Sequence, residues 1–146
     1  MRSSRGIAVL IAEEKLEAIF EHARKAYPHE CLGFLVGRFS GEGEVKDVRP
    51  ARNLMEGTHD RYEMDPQDYL RLEEEIAGSG LEIVGFYHSH PDGQPCPSSF
   101  DLERAWEEYF YLIVSVRGGE EVEARLWRME RGGGGFREEE MNVGQS

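Results

Sequence analysis

Cysteine is scarce in this 146-residue chain, which contains only Cys31 and Cys96. Two cysteines cannot build the disulfide scaffold on which many small secreted proteins depend, and in a reducing compartment they default to free thiols. Cys31 lies in an apolar segment, so we predict that it is a small core residue. A hydrophobic core must therefore stabilise the chain, and one domain of this length is long enough to bury one.

Long apolar runs are also missing. No run approaches the roughly 20 residues that a membrane-spanning helix needs. The apolar run that follows residues 1–6 is too short for a secretory signal. We therefore expect a cytoplasmic protein.

Positive charge is in deficit, because 17 Lys and Arg residues stand against 29 Asp and Glu residues, for a formal net charge of -12. Nucleic acid and anionic membranes are also negatively charged and would repel this chain, which argues against either as its main partner. A basic protein partner is permitted. Hydrophobic residues make up 39% and charged residues 32% of the chain, as in an ordinary globular protein.

Hydrophobic periodicity predicts strands that alternate with helices. An amphipathic helix is predicted from 12 to 27 and is ended by Pro28. A second helix is predicted after Asp65, which can cap it, with Pro66 at the first helical position. Strands are predicted at 6–11, 30–38, 45–48, 81–90, 109–116 and 122–129, and a further helix at 102–108. This order favours a mixed α+β (α/β) class with a largely antiparallel central sheet flanked by helices.

Four consecutive glycines at 132–135 predict the end of the folded domain, since glycine-rich segments form flexible linkers. The residues that follow them are largely acidic. We expect one domain over residues 1–130, and we expect residues 131–146 to form a Gly-rich linker and a disordered acidic tail.

The candidate chemistry lies between Leu81 and Asp101. His88 and His90 stand two apart on a predicted strand, so their side chains point to the same face. The loop that returns the chain to Asp101 contains three prolines, which stiffen it. Two histidines and an aspartate leave a fourth position open for water, which is the plan of a catalytic zinc site. A histidine pair alone is weak evidence, and Asp101 alone could be a helix-start carboxylate.

Spacing excludes three other metal motifs. The H-x-H-x-D-H pattern of metallo-β-lactamase hydrolases needs a histidine where Gly93 stands. The P-C-x-x-C pattern of zinc deaminases needs a cysteine at Ser99. The H-E-x-x-H pattern needs a histidine at Gly33. Each of the three therefore lacks a ligand.

The remaining pattern is H-S-H-P, six residues, S, two residues and D, at His88, Ser89, His90, Pro91, Ser98 and Asp101. It resembles the JAMM motif of the MPN-plus family of zinc isopeptidases and deubiquitinases. The family's upstream pattern, P-x-E-x-x-G-x-L-x-G, fits Pro28, Glu30, Gly33, Leu35 and Gly37. Asn53 and the segment 62–66 also resemble the small bacterial members. The resemblance covers roughly residues 7–116 and implies a single-domain, cytidine-deaminase-like MPN fold.

By that resemblance His88, His90 and Asp101 bind Zn²⁺, while Glu30 is the general acid/base that activates a metal-bound water. Ser98 donates a hydrogen bond to the oxyanion. The family implies a zinc metallopeptidase that cleaves the amide bond after the C-terminal Gly-Gly of a ubiquitin-like or sulfur-carrier protein. The short chain favours the small bacterial type, because it has no room for large insertions. The Gly-Gly tail is expected to enter an extended cleft as an added strand.

Two alternatives stay open at this point. One is a non-catalytic MPN-type interaction scaffold, which has this fold but lacks the ligands. The other is a zinc amidase for a small molecule or a cell-wall peptide. The complete ligand set argues against the first, and no feature of the sequence speaks for the second.

Overall fold

The computed structural model describes residues 8–39, 41, 43–54, 63–99, 101, 105–106, 108–130, 132 and 134–144. The elements are, in chain order, β1 (Ala8–Ala12), α1 (Glu13–Ala26), β2 (Leu32–Arg38), β3 (Glu44–Ala51), α2 (Pro66–Ile76), β4 (Glu82–Pro91), β5 (Phe110–Arg117), β6 (Glu121–Met129) and β7 (Phe136–Gly144). Neither α1 nor α2 is long and apolar enough to cross a membrane, and the same holds for every helical segment among the described residues.

The seven strands close into a barrel in the order β1-β3-β2-β4-β5-β6-β7. The pairs β2–β3, β2–β4, β5–β6 and β6–β7 are antiparallel. The pairs β1–β3, β1–β7 and β4–β5 are parallel. The predicted mixture of helices and strands is confirmed, but the sheet is mixed rather than largely antiparallel. The long connection from β4 to β5 allows this, since parallel neighbours need a crossover of a dozen or more residues.

Residues 136–144 form strand β7, so the prediction of a disordered tail is wrong over this range. β7 pairs with β6 and β1 and thereby closes the barrel. Its acidic residues lie mostly at exposed positions, whereas Phe136 and Met141 pack against the core. The glycine-rich segment is therefore the connection between β6 and β7, with left-handed backbone at Gly132 and Gly135.

The two long predicted helices are confirmed. Asp65 caps α2 as expected, because its Oδ1 accepts the N–H of Gln67 at 3.0 Å and Pro66 is the first helical residue. The helix predicted at 102–108 falls largely on residues 102–104 and 107, which lie outside the described residues, and Ala105 and Trp106 are not helical. Residues 6–7 of the first predicted strand and position 62 also lie outside.

Two apolar clusters cover the two faces of the central strands. The first packs Ile19 and Ala23 of α1 against the sheet, and the second packs Leu72 and Ile76 of α2 against it. β2, β4 and β5 are almost continuously buried, as their unbroken apolar sequences predict. β4 lies between β2 and β5 in the sheet. The strand that carries the histidines is therefore held on both edges.

Candidate metal centre and active site

Three candidate ligands converge at the end of β4. His88 Nε2 lies 3.0 Å from Asp101 Oδ1, and His90 Nε2 lies 3.2 Å from Asp101 Oδ2. The two imidazole Nε2 atoms are 3.2 Å apart. One potential ligand atom from each of the three residues lies within 4.8 Å of the other two. The two histidines on one face of the strand and the aspartate brought back by the loop thus form a group that can hold a metal ion.

The orientation of His90 follows from a hydrogen bond on the far side of its ring. Its Nδ1 lies 2.8 Å from the carbonyl oxygen of Gln94. A carbonyl can only accept, so Nδ1 carries a hydrogen, and Nε2 is the ring nitrogen left to bind a metal. Metal-binding histidines in proteins are commonly oriented in this way by a partner outside the ligand shell. His90 therefore turns Nε2 towards Asp101 and His88, where the three groups could share a metal.

Asp101 and Ser98 hold each other through reciprocal bonds. The backbone N–H of Ser98 donates to Asp101 Oδ2 at 2.8 Å, and the backbone N–H of Asp101 donates to Ser98 Oγ at 3.1 Å. Asp101 is only 3% exposed, whereas Ser98 is exposed. The aspartate is thus fixed in place while the serine stays at the surface of the site.

The protonation of the three groups differs with their surroundings. Burial lowers the pKa of His88, although Asp101 acts in the opposite direction. Burial also acts to lower the pKa of His90, but the hydrogen bond and charge of Asp101, helped by the Gln94 carbonyl and Glu30, raise it overall. Burial acts to raise the pKa of Asp101, yet the two histidines hold it far below its usual range. The carboxyl group of Asp101 is therefore ionised at neutral pH.

Glu30 reaches the site through the pairing of β2 with β4. Leu32 is the partner of His88 in this antiparallel ladder, so extending the register by two residues places Glu30 opposite His90. Glu30 is 6% exposed. Its charge contributes to raising the pKa of His90, which puts the carboxylate within electrostatic reach of the ligand group. A buried carboxylate thus lies beside the candidate metal site.

Side chains on both sides of Glu30 fix its backbone. Asn53 Nδ2 donates to the Glu30 carbonyl at 3.1 Å, and Asn53 Oδ1 accepts the N–H of Glu63 at 2.9 Å. The next residue, Cys31, donates its N–H to Ser89 Oγ at 2.9 Å, and Ser89 donates its N–H to the Cys31 carbonyl at 3.1 Å. Ser89 is fully buried. Hydrogen bonds therefore tie the residue after Glu30 to the strand that carries the histidines.

The loop between the ligands is anchored by residues that sequence reasoning missed. Tyr27 Oη donates to Asp92 Oδ2 at 2.7 Å, and the Gly118 N–H donates to Asp92 Oδ1 at 2.9 Å. Ser115 and Trp127 donate to carbonyls further along the loop. A signal for Ser115 was present, since it is the one serine in the apolar run 109–116. No sequence pattern points to Trp127.

Two surface clefts adjoin at Ala51 and Arg52, and one of them is lined by Glu30. The first, of about 340 Å³, is lined by Glu30, Asn53 and the end of α1. The second, of about 500 Å³, lies between β3 and α2. Both are lined by Ala51 and Arg52. An extended chain on this surface could therefore run from α2 to the candidate carboxylate.

Comparison with known proteins assigns the family. Residues 12–130 match the family described as prokaryotic homologs of the JAB domain. The chain is 35% identical over 122 residues to a desampylase of Haloferax volcanii, and the alignment covers 81% of this chain and 86% of that protein. It is 29% identical over 113 residues to a protein of Thermus thermophilus named "Probable TtuB-protein conjugate cleaving protease", with 77% and 74% covered.

Solved structures agree with the family match. The solution structure of a Desulfitobacterium hafniense protein has a TM-score of 0.82 and 28% identity, and the superposition covers 94% of each chain. The family predicted from the motif is confirmed, and with it the JAB/MPN fold. The chain belongs to the JAB/MPN family, among the prokaryotic homologs of the JAB domain.

Proposed function

We propose that this protein is a zinc metallopeptidase of the JAMM type. It hydrolyses the amide bond after the C-terminal Gly-Gly of a ubiquitin-like or sulfur-carrier protein. The observation that carries the proposal is the convergence of His88, His90 and Asp101 beside the buried Glu30. The names of the relatives, a desampylase and a conjugate-cleaving protease, support the substrate class.

The ligand chemistry fits zinc. Two imidazole nitrogens and one carboxylate oxygen are ligands that zinc prefers, and catalytic zinc sites use three protein ligands. His88, His90 and Asp101 would hold the ion. When bound in such a site, zinc supplies Lewis acidity, which lowers the pKa of water to about 7 and polarises a carbonyl. The complete ligand set argues against a non-catalytic scaffold.

Glu30 is the proposed general acid/base. Its carboxylate would take a proton from water beside the ligand group and later pass it to the nitrogen of the leaving amine. This transfer needs a carboxylate at a fixed distance from the substrate. The bonds from Asn53 and Ser89 to residues 30 and 31 provide that restraint.

Ser98 is the proposed donor to the oxyanion. Its Oγ accepts the N–H of Asp101, so its hydroxyl proton can point outwards from the exposed side chain. A hydrogen bond to the carbonyl oxygen would strengthen as that carbon becomes tetrahedral. Removing a donor of this kind typically costs roughly 3 kcal/mol of transition-state stabilisation.

The two adjoining clefts are the proposed route for the Gly-Gly tail. They provide an extended path past Arg52 to Glu30, which suits a flexible chain end better than a folded surface. The substrate would need glycines next to the metal, because a larger substrate side chain would have to fit beside the buried residues of the site. A reducing, cytoplasmic setting agrees with the free thiols of Cys31 and Cys96.

Zinc content and hydrolysis test this function together. The purified chain is expected to bind about one zinc ion and to shorten carrier proteins that bear extensions after Gly-Gly, as read by intact mass. Glu30→Gln should keep the zinc but lose at least about 100-fold in hydrolysis, because the proton acceptor is gone. Glu74→Gln, on the exposed surface of α2, is the matched control. Full activity of Glu30→Gln would refute the mechanism.

A further inference from the structure

The metal loop (residues 92–98) is held by a row of hydrogen bonds to its backbone. Three successive carbonyls each accept a bond from a side chain on a different strand. These bonds run from Ser115 Oγ to the Gly93 oxygen at 2.6 Å, from His90 Nδ1 to the Gln94 oxygen at 2.8 Å, and from Trp127 Nε1 to the Pro95 oxygen at 3.0 Å. The middle donor is a proposed zinc ligand, so the outer two flank the bond that orients it.

Ser115 lies directly beside this ligand. It is the partner of His90 in the parallel pairing of β4 with β5 and is 2% exposed. Burying a hydroxyl is unfavourable unless it is hydrogen-bonded, and the Gly93 carbonyl supplies the partner. The N–H of Gly93 in turn donates to the His90 carbonyl at 3.2 Å. Ser115 therefore fixes the turn by which the chain leaves β4.

Trp127 holds the loop two residues further along, at the Pro95 carbonyl. It lies on β6, where its partners in the sheet are Tyr111 and Glu138. Its ring packs against the α2 side of the core, and its indole has a single donor, which is used for Pro95. Pro95 is itself buried. β6 is not a neighbour of β4, so this bond ties the loop to a part of the barrel that carries no ligand.

We propose that Trp127 and Ser115 are positioning residues that set the zinc affinity. With Gly93 and Pro95 fixed, the peptide between them cannot rotate, and the Gln94 carbonyl stays aimed at His90 Nδ1. The imidazole then presents Nε2 to the metal without an ordering cost on binding. Loss of partners outside the ligand shell typically weakens metal binding 10- to 100-fold. This inference rests on the zinc site of the proposed function.

Replacing Trp127 by phenylalanine tests the inference. Trp127→Phe keeps an aromatic ring in the core but removes the indole N–H. Zinc affinity of the full chain is measured by competition with a chromophoric chelator at fixed pH, and about a tenfold loss is expected. Trp106→Phe changes the chain's other tryptophan, which is 48% exposed and whose backbone N–H donates to the Tyr111 hydroxyl, and this variant should bind zinc like the unmodified protein. Ser115→Ala should weaken zinc binding in the same direction as Trp127→Phe.

A spectroscopic measurement separates positioning from a purely structural role. In the unmodified protein labelled with ¹⁵N, the two indole N–H signals are assigned with the two phenylalanine variants. Added zinc should slow solvent exchange of the Trp127 Nε1–H, since the ligand and the loop then restrain each other. The exchange of the Trp106 signal should not change.

Equal zinc affinity in Trp127→Phe and the unmodified protein overturns the inference, as does indole exchange that does not respond to zinc. If Trp127→Phe does not fold, the exchange measurement on the unmodified protein decides by itself. Neither result touches peptidase activity, so the proposed function would survive both. Failure of the unmodified protein to bind zinc would instead overturn the proposed function, and this inference with it.

Discussion

At the scale of single residues, burial distinguishes the two thiols of the chain. Cys31 stands next to the proposed base, yet its side chain is 3% exposed and belongs to the core, as its apolar sequence context predicts. Burial raises the pKa of its thiol to about 11, although the hydrogen bond with Ser89 acts against this. Cys96 is partly exposed in the metal loop. The two free thiols thus differ in burial.

The native protein is expected to react with the thiol reagent DTNB at Cys96 and not at Cys31. At pH 8 only about one Cys31 thiol in a thousand would be ionised, because the pH lies some three units below its pKa. The absorbance should therefore report about one thiol per native chain and two after unfolding in guanidinium. The Cys96→Ser variant should report none while folded. Rapid labelling of that folded variant would contradict this account of Cys31.

At the scale of elements, the site depends on how closely β2 approaches β4. Gly33 and Tyr87 are direct partners in this ladder, and a Cβ atom at position 33 would overlap the Tyr87 ring. The ring extends across the glycine to α1, where the Tyr87 hydroxyl lies 2.7 Å from His22 Nδ1. Gly33 was singled out by the motif alone. The physical reason for a glycine at this position is that the Tyr87 ring fills the space that a side chain at residue 33 would need.

Gly33→Ala is expected to lower the free energy of unfolding by about 1–3 kcal/mol, because the added methyl group must displace a packed ring. Urea denaturation measures the loss. In the double variant Gly33→Ala/Tyr87→Leu the total loss should be smaller than the sum of the two single losses, since the smaller side chain leaves room. Gly144→Ala, with nothing within 4 Å of its Cβ, should be nearly neutral. Additive losses would show that the ring is not the cause.

At the scale of the whole molecule, β7 closes the barrel. It pairs with β1 at five positions, from Ala8–Glu140 to Ala12–Gly144, and with β6 at four. The contact between β1 and β3 is shorter, with only two pairs. β1 is therefore held in the sheet mainly by β7. This strand lies beyond residue 130, where the match to the family ends.

Removal of residues 131–146 is expected to destabilise the protein and to promote association. The truncation exposes the edges of β1 and β6, and unpaired strand edges template aggregation. A loss of even about 1 kcal/mol would lower the melting temperature by some 2–8 °C, which calorimetry can resolve. A chain that lacks only residues 145–146 is the control. If the longer truncation melted at the same temperature and stayed monomeric, closure by β7 would not matter for stability.

The sequence by itself determined what depends on near neighbours. The helix that starts at Asp65, the strand register that puts His88 and His90 on one face, and the spacing to Asp101 are all local patterns. The family, and the grouping of these three residues, could be predicted from them. Capping, period-two alternation and motif spacing act over a few residues, so one sequence is enough to read them.

Only the tertiary structure decided the rest. Strand directions, the ordering of β7, and the anchoring of the metal loop by Ser115 and Trp127 all join distant parts of the chain. The bond from Cys31, the residue after Glu30, to Ser89 of β4 spans 58 residues. Such contacts depend on which faces of the elements pack together. The acidic β7 lacks the hydrophobic run from which a strand is predicted. Pairing with β1 and β6 stabilises β7 as a strand, although its own sequence has little preference for one. These partners can be identified only in the folded barrel.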